Sequence, residues 1–260
     1  MAAMQIRDMV GDDEYFVSTC SHVNESDEMD ACGRARLTWL RRMRERGGRT
    51  KVALLDGEHA GFAYVMPIEV CPWGPLGRNL LVLPCLWVLP KAKGKGIGGA
   101  MIAAAEEEAK HQGHKGIVTR GFHHDFWFMP AGFFEKNGYE AARSREKEVI
   151  LWKRFDPSAE APTFLQSSYR YAPVPGRVVV DLFWHTFCQT SCIEAQRVRE
   201  VAAEFGDAVM LNEYCADNRK VLLHHQIPRA IFINGKEIGW GYAAPKEGLT
   251  EAITQALKLA

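Results

Sequence analysis

The sequence has no apolar run long enough for a bilayer and no excess of charge of either sign. Its longest apolar stretch, Leu80 to Pro90, falls far short of the roughly 20 residues that a spanning helix needs. Thirty-two basic residues face thirty-two acidic ones, so no global field draws the chain to nucleic acid or to a membrane surface. Arg7, Asp8, Asp12, Asp13 and Glu14 interrupt the N-terminus where a signal peptide would need an apolar core, which makes a cytoplasmic location the default expectation. Seven cysteines, an odd number scattered over 260 residues, do not form a secreted disulfide framework. Cys20, Cys32, Cys71, Cys85 and Cys215 stand singly, as small buried hydrophobes do. Internal repeats and low-complexity tracts are also missing.

What remains is an ordinary globular composition, 47% hydrophobic and 25% charged, in a chain long enough for two modest cores. Proline and glycine concentrate in Asp156–Pro162 and Tyr171–Gly176, where neither a helix nor a central strand persists. This predicts a first domain over 1–155, a linker over 156–176 and a second, smaller domain over 177–260. Phe164, Leu165, Tyr169 and Tyr171 are too apolar for a free tether, so the linker is expected to pack along a surface.

The densest signal lies in Lys91–Ala100, where lysines and glycines alternate after a continuous apolar run and before a helix-like segment. Strand, glycine turn and helix in that order suit a phosphate: glycines let N–H groups approach oxygen, and the helix N-terminus adds partial positive charge. Glycine clusters also serve plain turns. The surrounding residues narrow the reading. Val88-Leu89-Pro90 closes the strand, the loop reads Lys93-Gly94-Lys95-Gly96-Ile97-Gly98, and Phe134-Glu135-Lys136-Asn137-Gly138-Tyr139 follows downstream.

Together these stretches resemble the GCN5-related N-acetyltransferase (GNAT) family over roughly residues 4 to 155. The resemblance implies an α/β fold with a mixed sheet flanked by helices. It implies acetyl-CoA as cofactor and an amine, here of a small molecule, as acceptor. On that resemblance Lys93, Gly94, Lys95, Gly96, Ile97, Gly98 and Gly99 would hold the diphosphate, and Trp87 and Val88 the pantetheine arm, with an N–H near Val88 facing the oxyanion. The family's tyrosine, the usual proton donor, is replaced by Phe134, and the strand Leu80–Leu89 carries no carboxylate. Substitutes for acid and base are Glu69, Cys85, His123, His124 and Asp125, since His titrates near neutral pH. The same loop residues also suit plain solvation, and Cys85 a buried structural role. Trp39, Trp73, Trp87 and Trp127 could line an acceptor cleft or pack in the core.

The second half reads as strand, helix, strand, short helix, hairpin and helix, with Asn234-Gly235 the hairpin turn. Cys188 at the first strand-to-helix junction, and Ile227-Pro228 before the hairpin, resemble the thioredoxin fold. The fusion resembles the YoaP-type acetyltransferases. The resemblance implies a redox role for Cys188 and Cys192, with Pro228 in the place of the fold's cis-proline. Three residues separate these cysteines, where the usual pattern has two. That spacing also admits copper binding with His185, His224 or His225, or a docking scaffold with inert thiols. Two functions follow as expectations: an acetyl-CoA-dependent N-acetyltransferase whose second half handles thiols or controls acceptor access, or a thiol-redox or metal-binding protein whose first half only senses acyl-CoA.

Overall fold

The computed structural model describes residues 3–124, 128–239 and 244–259. In chain order its elements are β1 (Met4–Asp8), α1 (Glu14–Ser18), α2 (Asp27–Glu45), β2 (Arg49–Leu55), β3 (Glu58–Pro67), β4 (Leu81–Val88), α3 (Ile97–His111), β5 (Gly116–Phe122), α4 (Ala131–Lys136), β6 (Glu140–Arg145) and β7 (Glu148–Arg154). There follow β8 (Val178–Trp184), α5 (Gln189–Glu204), β9 (Val209–Cys215), α6 (Arg219–His225), β10 (Ala230–Ile233), β11 (Lys236–Ile238) and α7 (Lys246–Leu257). No helix among the described residues is long and apolar enough to cross a membrane.

Contacts divide the chain into two compact units. The first joins Met1–Val17 to Leu40–Leu165, and the second joins Ser18–Trp39 to Gln166–Ala260. Ser18–Trp39 clusters with the C-terminal residues, and the boundary between the units at Leu165 and Gln166 falls within 156–176.

Unit 1 is a seven-stranded sheet in the order β1-β2-β3-β4-β5-β7-β6. It is antiparallel except for the β4/β5 pair, so it is a mixed sheet flanked by helices. Asp56 and Gly57 both take positive φ at the β2–β3 turn, the conformation that a two-residue hairpin requires. The strand β6 is absent from the sequence reading because its Glu, Arg and Ser residues leave it largely exposed. The helix α3 turns Ile97, Met101, Ile102, Ala105 and Ala109 toward the sheet, a 3.6-residue period. These pack with Leu81, Leu83, Phe134 and Leu151 into one core, each large apolar side chain contributing about 1.5–3 kcal/mol by leaving water.

Unit 2 is a four-stranded sheet in the order β11-β10-β8-β9, parallel between β8 and β9 and otherwise antiparallel. Asn234 and Gly235 make the β10–β11 turn with positive φ, and the Asn234 side chain accepts the Val179 N–H at 2.8 Å. Ala195, Val198, Val201 and Ala202 from α5 meet Leu249 and Ile253 from α7 over Val178, Val180 and Leu182. Beside them Phe183, Ile227 and Phe232 form a small cluster that Tyr169 joins, stacked on Phe232 at 3.9 Å. This agrees with the packed linker that its aromatics suggested.

Candidate active site

The sheet of unit 1 comes apart at one place. Strands β4 and β5 pair only at Leu81–Ile117 and Val82–Val118, while β5 continues along β7 as far as Phe122. The parting coincides with an irregularity on the other edge of β4. Val82 pairs Met66 and Cys85 pairs Tyr64, so β4 holds one residue more than β3 over that interval. Such a bulge bends a strand, and Pro84 within it has no N–H to give a ladder. Leu89 donates its N–H to Ala60 on the β3 side at 2.8 Å. Strand alternation then turns the backbone groups of Leu86 and Val88 toward the gap.

A cavity of about 430 Å³ occupies this region. Leu86, Trp87 and Val88 form one wall, Phe133 and Phe134 another, and the glycine loop closes the end. Gly94 and Gly96 have φ of 76° and 80°, a left-handed conformation that glycine adopts without penalty. At Gly98 the demand is steric instead, since an added Cβ would lie 2.8 Å from the Phe133 ring. Gly96 caps α3 and, as a glycine, offers its first turn no side-chain cap, so the leading N–H groups suit an anion. Lys93 extends its ammonium over the Trp87 ring, 5.7 Å from the centroid. Gly99 and Ile97 also line the cavity, whereas Lys95 is not among the lining residues.

The proposed proton carriers are dispersed. Glu69 is exposed and accepts the Asn79 N–H at 2.7 Å, before β4 begins. Cys85 is half-buried on β4, next to Leu86 of the cavity wall. His123 is exposed and its N–H donates to the Lys147 carbonyl at 2.7 Å. His124 stacks on Phe122 at 5.2 Å. Asp125 and Trp127 lie outside the described residues. Phe134 is buried against Tyr139, edge to face. The Tyr139 hydroxyl is buried without a hydrogen-bond partner, and burial pushes its pKa up.

Sequence reasoning passed over Arg120, which the sheet register delivers beside this gap. Phe122 pairs Glu148, so Arg120 on β5 reaches Glu148 diagonally and forms an ion pair with it. The guanidinium also lies 5.2 Å from the centroid of the Trp73 ring. Nothing local in the sequence marks this group, because its three members come from separate segments.

Residues 46–141, which span the gap, the loop and α4, match the family model described as "Acetyltransferase (GNAT) domain". Over that stretch unit 1 is similar to a GNAT acetyltransferase domain. The chain is also similar to an uncharacterized N-acetyltransferase, YhfO, of Bacillus subtilis (strain 168), 30% identical over 89 residues. That match covers 34% of this chain and 56% of the relative, so the chain spans little more than half the length of that protein. Among solved structures, YncA, a putative acetyltransferase from Salmonella typhimurium held with acetyl-CoA, is 17% identical with a TM-score of 0.46, covering 61% of this chain and 98% of that one. The PaiA N-acetyltransferase from Thermoplasma acidophilum, in complex with coenzyme A, is 17% identical with a TM-score of 0.43, covering 59% and 99%.

In unit 2, Cys188 caps α5 and Cys192 sits one turn inside it. The Cys188 N–H donates to His185 Nδ1 at 3.2 Å, and its sulfur lies 3.3 Å from Thr190 Oγ1. Gly74–Pro75 is the cis peptide among the described residues, so Ile227–Pro228 is trans and the expected cis bond is corrected. Gln226, with φ of 53° at the end of α6, already turns the chain before the proline. His225 packs against Phe183 and Tyr214. Among the described residues no three His, Cys, Asp or Glu side chains are placed to hold a metal ion.

Proposed function

We propose that unit 1 binds acetyl-CoA in the gap between β4 and β5 and transfers its acetyl group to the amine of a small-molecule acceptor. The observation that carries this reading is the junction of three features: an opened strand edge, a glycine loop at its end, and a helix α3 behind that loop whose N-cap glycine offers no side chain. The diphosphate meets backbone N–H groups from Gly96 to Gly99, with Lys93 adding charge. The pantetheine arm lies along Leu86 to Val88 as an added strand would. The Val88 N–H faces the thioester oxygen, and one such donor to a developing oxyanion contributes about 3 kcal/mol.

Phe134 cannot protonate the leaving sulfur, so the thiolate departs unassisted by that residue. Trp73 and Arg120 offer the acceptor an aromatic face and a guanidinium already tied to Glu148. The strand order of unit 2, with α5 following β8, supports reading 177–260 as a thioredoxin-like extension that handles thiols or governs acceptor access.

The test is calorimetric titration of the full chain with acetyl-CoA, followed by an amine panel assayed for release of free thiol. Micromolar binding and turnover of at least one amine are expected. No heat and no rise in Tm at millimolar acetyl-CoA would end this reading. Binding without turnover of any amine would instead favour an acyl-CoA sensor.

A further inference from the structure

Four of the seven cysteines belong to unit 2 near the start of α5. Cys20 and Cys32 come from Ser18–Trp39, and Cys188 and Cys192 from the helix itself, all as free thiols. The Cys192 sulfur faces Cys32. Met29, Cys32, Cys192 and Ile193 form one buried cluster, in which the two thiols are hydrogen-bonded to each other. The Cys32 thiol also reaches Gln196 Oε1 at 3.9 Å, and the Cys192 thiol reaches the Thr186 carbonyl at 3.5 Å. The bond between the two thiols draws Cys32 below its ordinary range. The same bond, with burial, pushes Cys192 up. One sulfur is thereby disposed to be the thiolate and the other to keep its proton.

The helices are fixed around this pair by contacts that leave little freedom. Glu28 accepts two bonds from Arg197 at 2.8 and 2.7 Å. Gln189 donates to the Met29 carbonyl at 2.9 Å, and buried Arg36 donates to the Phe187 carbonyl at 2.6 Å. Glu28, Cys32 and Arg36 recur every four residues, so they share one stripe of α2. Arg36 also donates to the Cys20 sulfur at 2.6 Å. At Cys20 that guanidinium favours the thiolate, but burial outweighs it and holds the thiol above its ordinary range.

We propose that Cys32 and Cys192 are a peroxide-oxidisable dithiol whose disulfide joins α2 to α5 within unit 2. The oxidant is a small hydroperoxide, because the two residues are only 5% and 6% exposed and a bulky disulfide would not reach them. The Cys32 thiolate attacks the terminal oxygen of the hydroperoxide. The S–O bond forms, the O–O bond breaks, and the departing alkoxide or hydroxide takes the proton that Cys32 gave up. Cys32 is then a sulfenic acid, oxidised by two electrons. Cys192 loses its proton and attacks the Cys32 sulfur; the S–S bond forms, the S–O bond breaks, and hydroxide leaves as water with that proton. Two thiols and one hydroperoxide become one disulfide, one water and one alcohol, or two waters with hydrogen peroxide.

The full chain treated with hydrogen peroxide, quenched with an alkylating agent and digested without reduction supplies the test by mass spectrometry. A Cys32–Cys192 cross-linked peptide is expected, with two of the seven thiols lost and recovered by dithiothreitol. Cys188→Ser should keep the cross-link, and Cys32→Ser should abolish it. A dominant Cys188–Cys192 peptide would overturn the proposal, as would seven thiols surviving tenfold peroxide. The peptide map of the unmutated protein decides even where a variant fails to fold.

Discussion

The hydroxyl of Thr119 on β5 donates to the carbonyl of Leu83 on β4 at 2.7 Å, just beyond the last paired residues of the two strands. It spans the root of the gap, where the ladder has ended but the backbone carbonyl is buried. Thr119→Val keeps the shape and removes the donor. Leaving a buried carbonyl unpaired costs about 1–3 kcal/mol, so denaturant unfolding should show that loss. Acetyl-CoA affinity, measured by calorimetry, should fall with it as the gap widens at its base.

The glycine loop separates two kinds of requirement. Gly96→Ala forces a left-handed alanine, at roughly 1–2 kcal/mol, and a loss of about tenfold in acetyl-CoA affinity is expected. Gly98→Ala meets the Phe133 ring instead, so Phe133→Leu should restore binding to Gly98→Ala while doing nothing for Gly96→Ala. Equal behaviour of the two double variants would contradict this division.

Asp13 sets an acid limit for unit 1. Burial pushes its carboxyl up, but the Val10 N–H, His59 and Arg7 outweigh that and hold it below the usual range. A carboxylate with a lowered folded pKa stabilises above its unfolded value of about 3.9 and loses that contribution as pH falls through the folded one. The Tm should therefore hold near neutral pH and drop below about pH 4. Asp13→Asn should lower stability at pH 7 by on the order of 2–4 kcal/mol, since it strands Arg7 and His59, and should flatten the acid limb.

Arg36 is the corresponding tie in unit 2, where it reaches the Phe187 and Ser18 carbonyls from a buried position. Arg36→Met leaves both acceptors without that donor, and a loss of about 2–4 kcal/mol is expected from urea unfolding. Because Arg36 also meets Cys20, the rate of thiol alkylation at Cys20 should fall at fixed pH, which a purely structural role would not produce.

What sequence reading reached was whatever a short stretch encodes. The apolar run before Pro90, the glycines after it, and the turn at Asn234-Gly235 each act through their own backbone, and each is where it was expected. The Arg120–Glu148 pair was illegible because it depends on which residue of β7 stands opposite Phe122. Cys32 looked like an isolated hydrophobe for a similar reason: its neighbour lies 160 positions away, and only the α2–α5 contacts bring them together. The cysteine spacing at 188 and 192 drew attention to a pair along one helix, whereas the hydrogen bond runs between helices. Exposed β6 escaped because its pattern lacks the alternation that marks a half-buried strand.

Unit 2 takes Ser18–Trp39 from ahead of most of unit 1 and the rest of its residues from behind it. A ribosome therefore releases Met29 and Cys32 long before α5 exists to cover them. An expression fragment stopped at Leu165 would carry Met29 and Cys32 uncovered into solution for good. Such a fragment should aggregate or bind chaperones, while the whole chain buries both residues against Cys192 and Ile193 on completion.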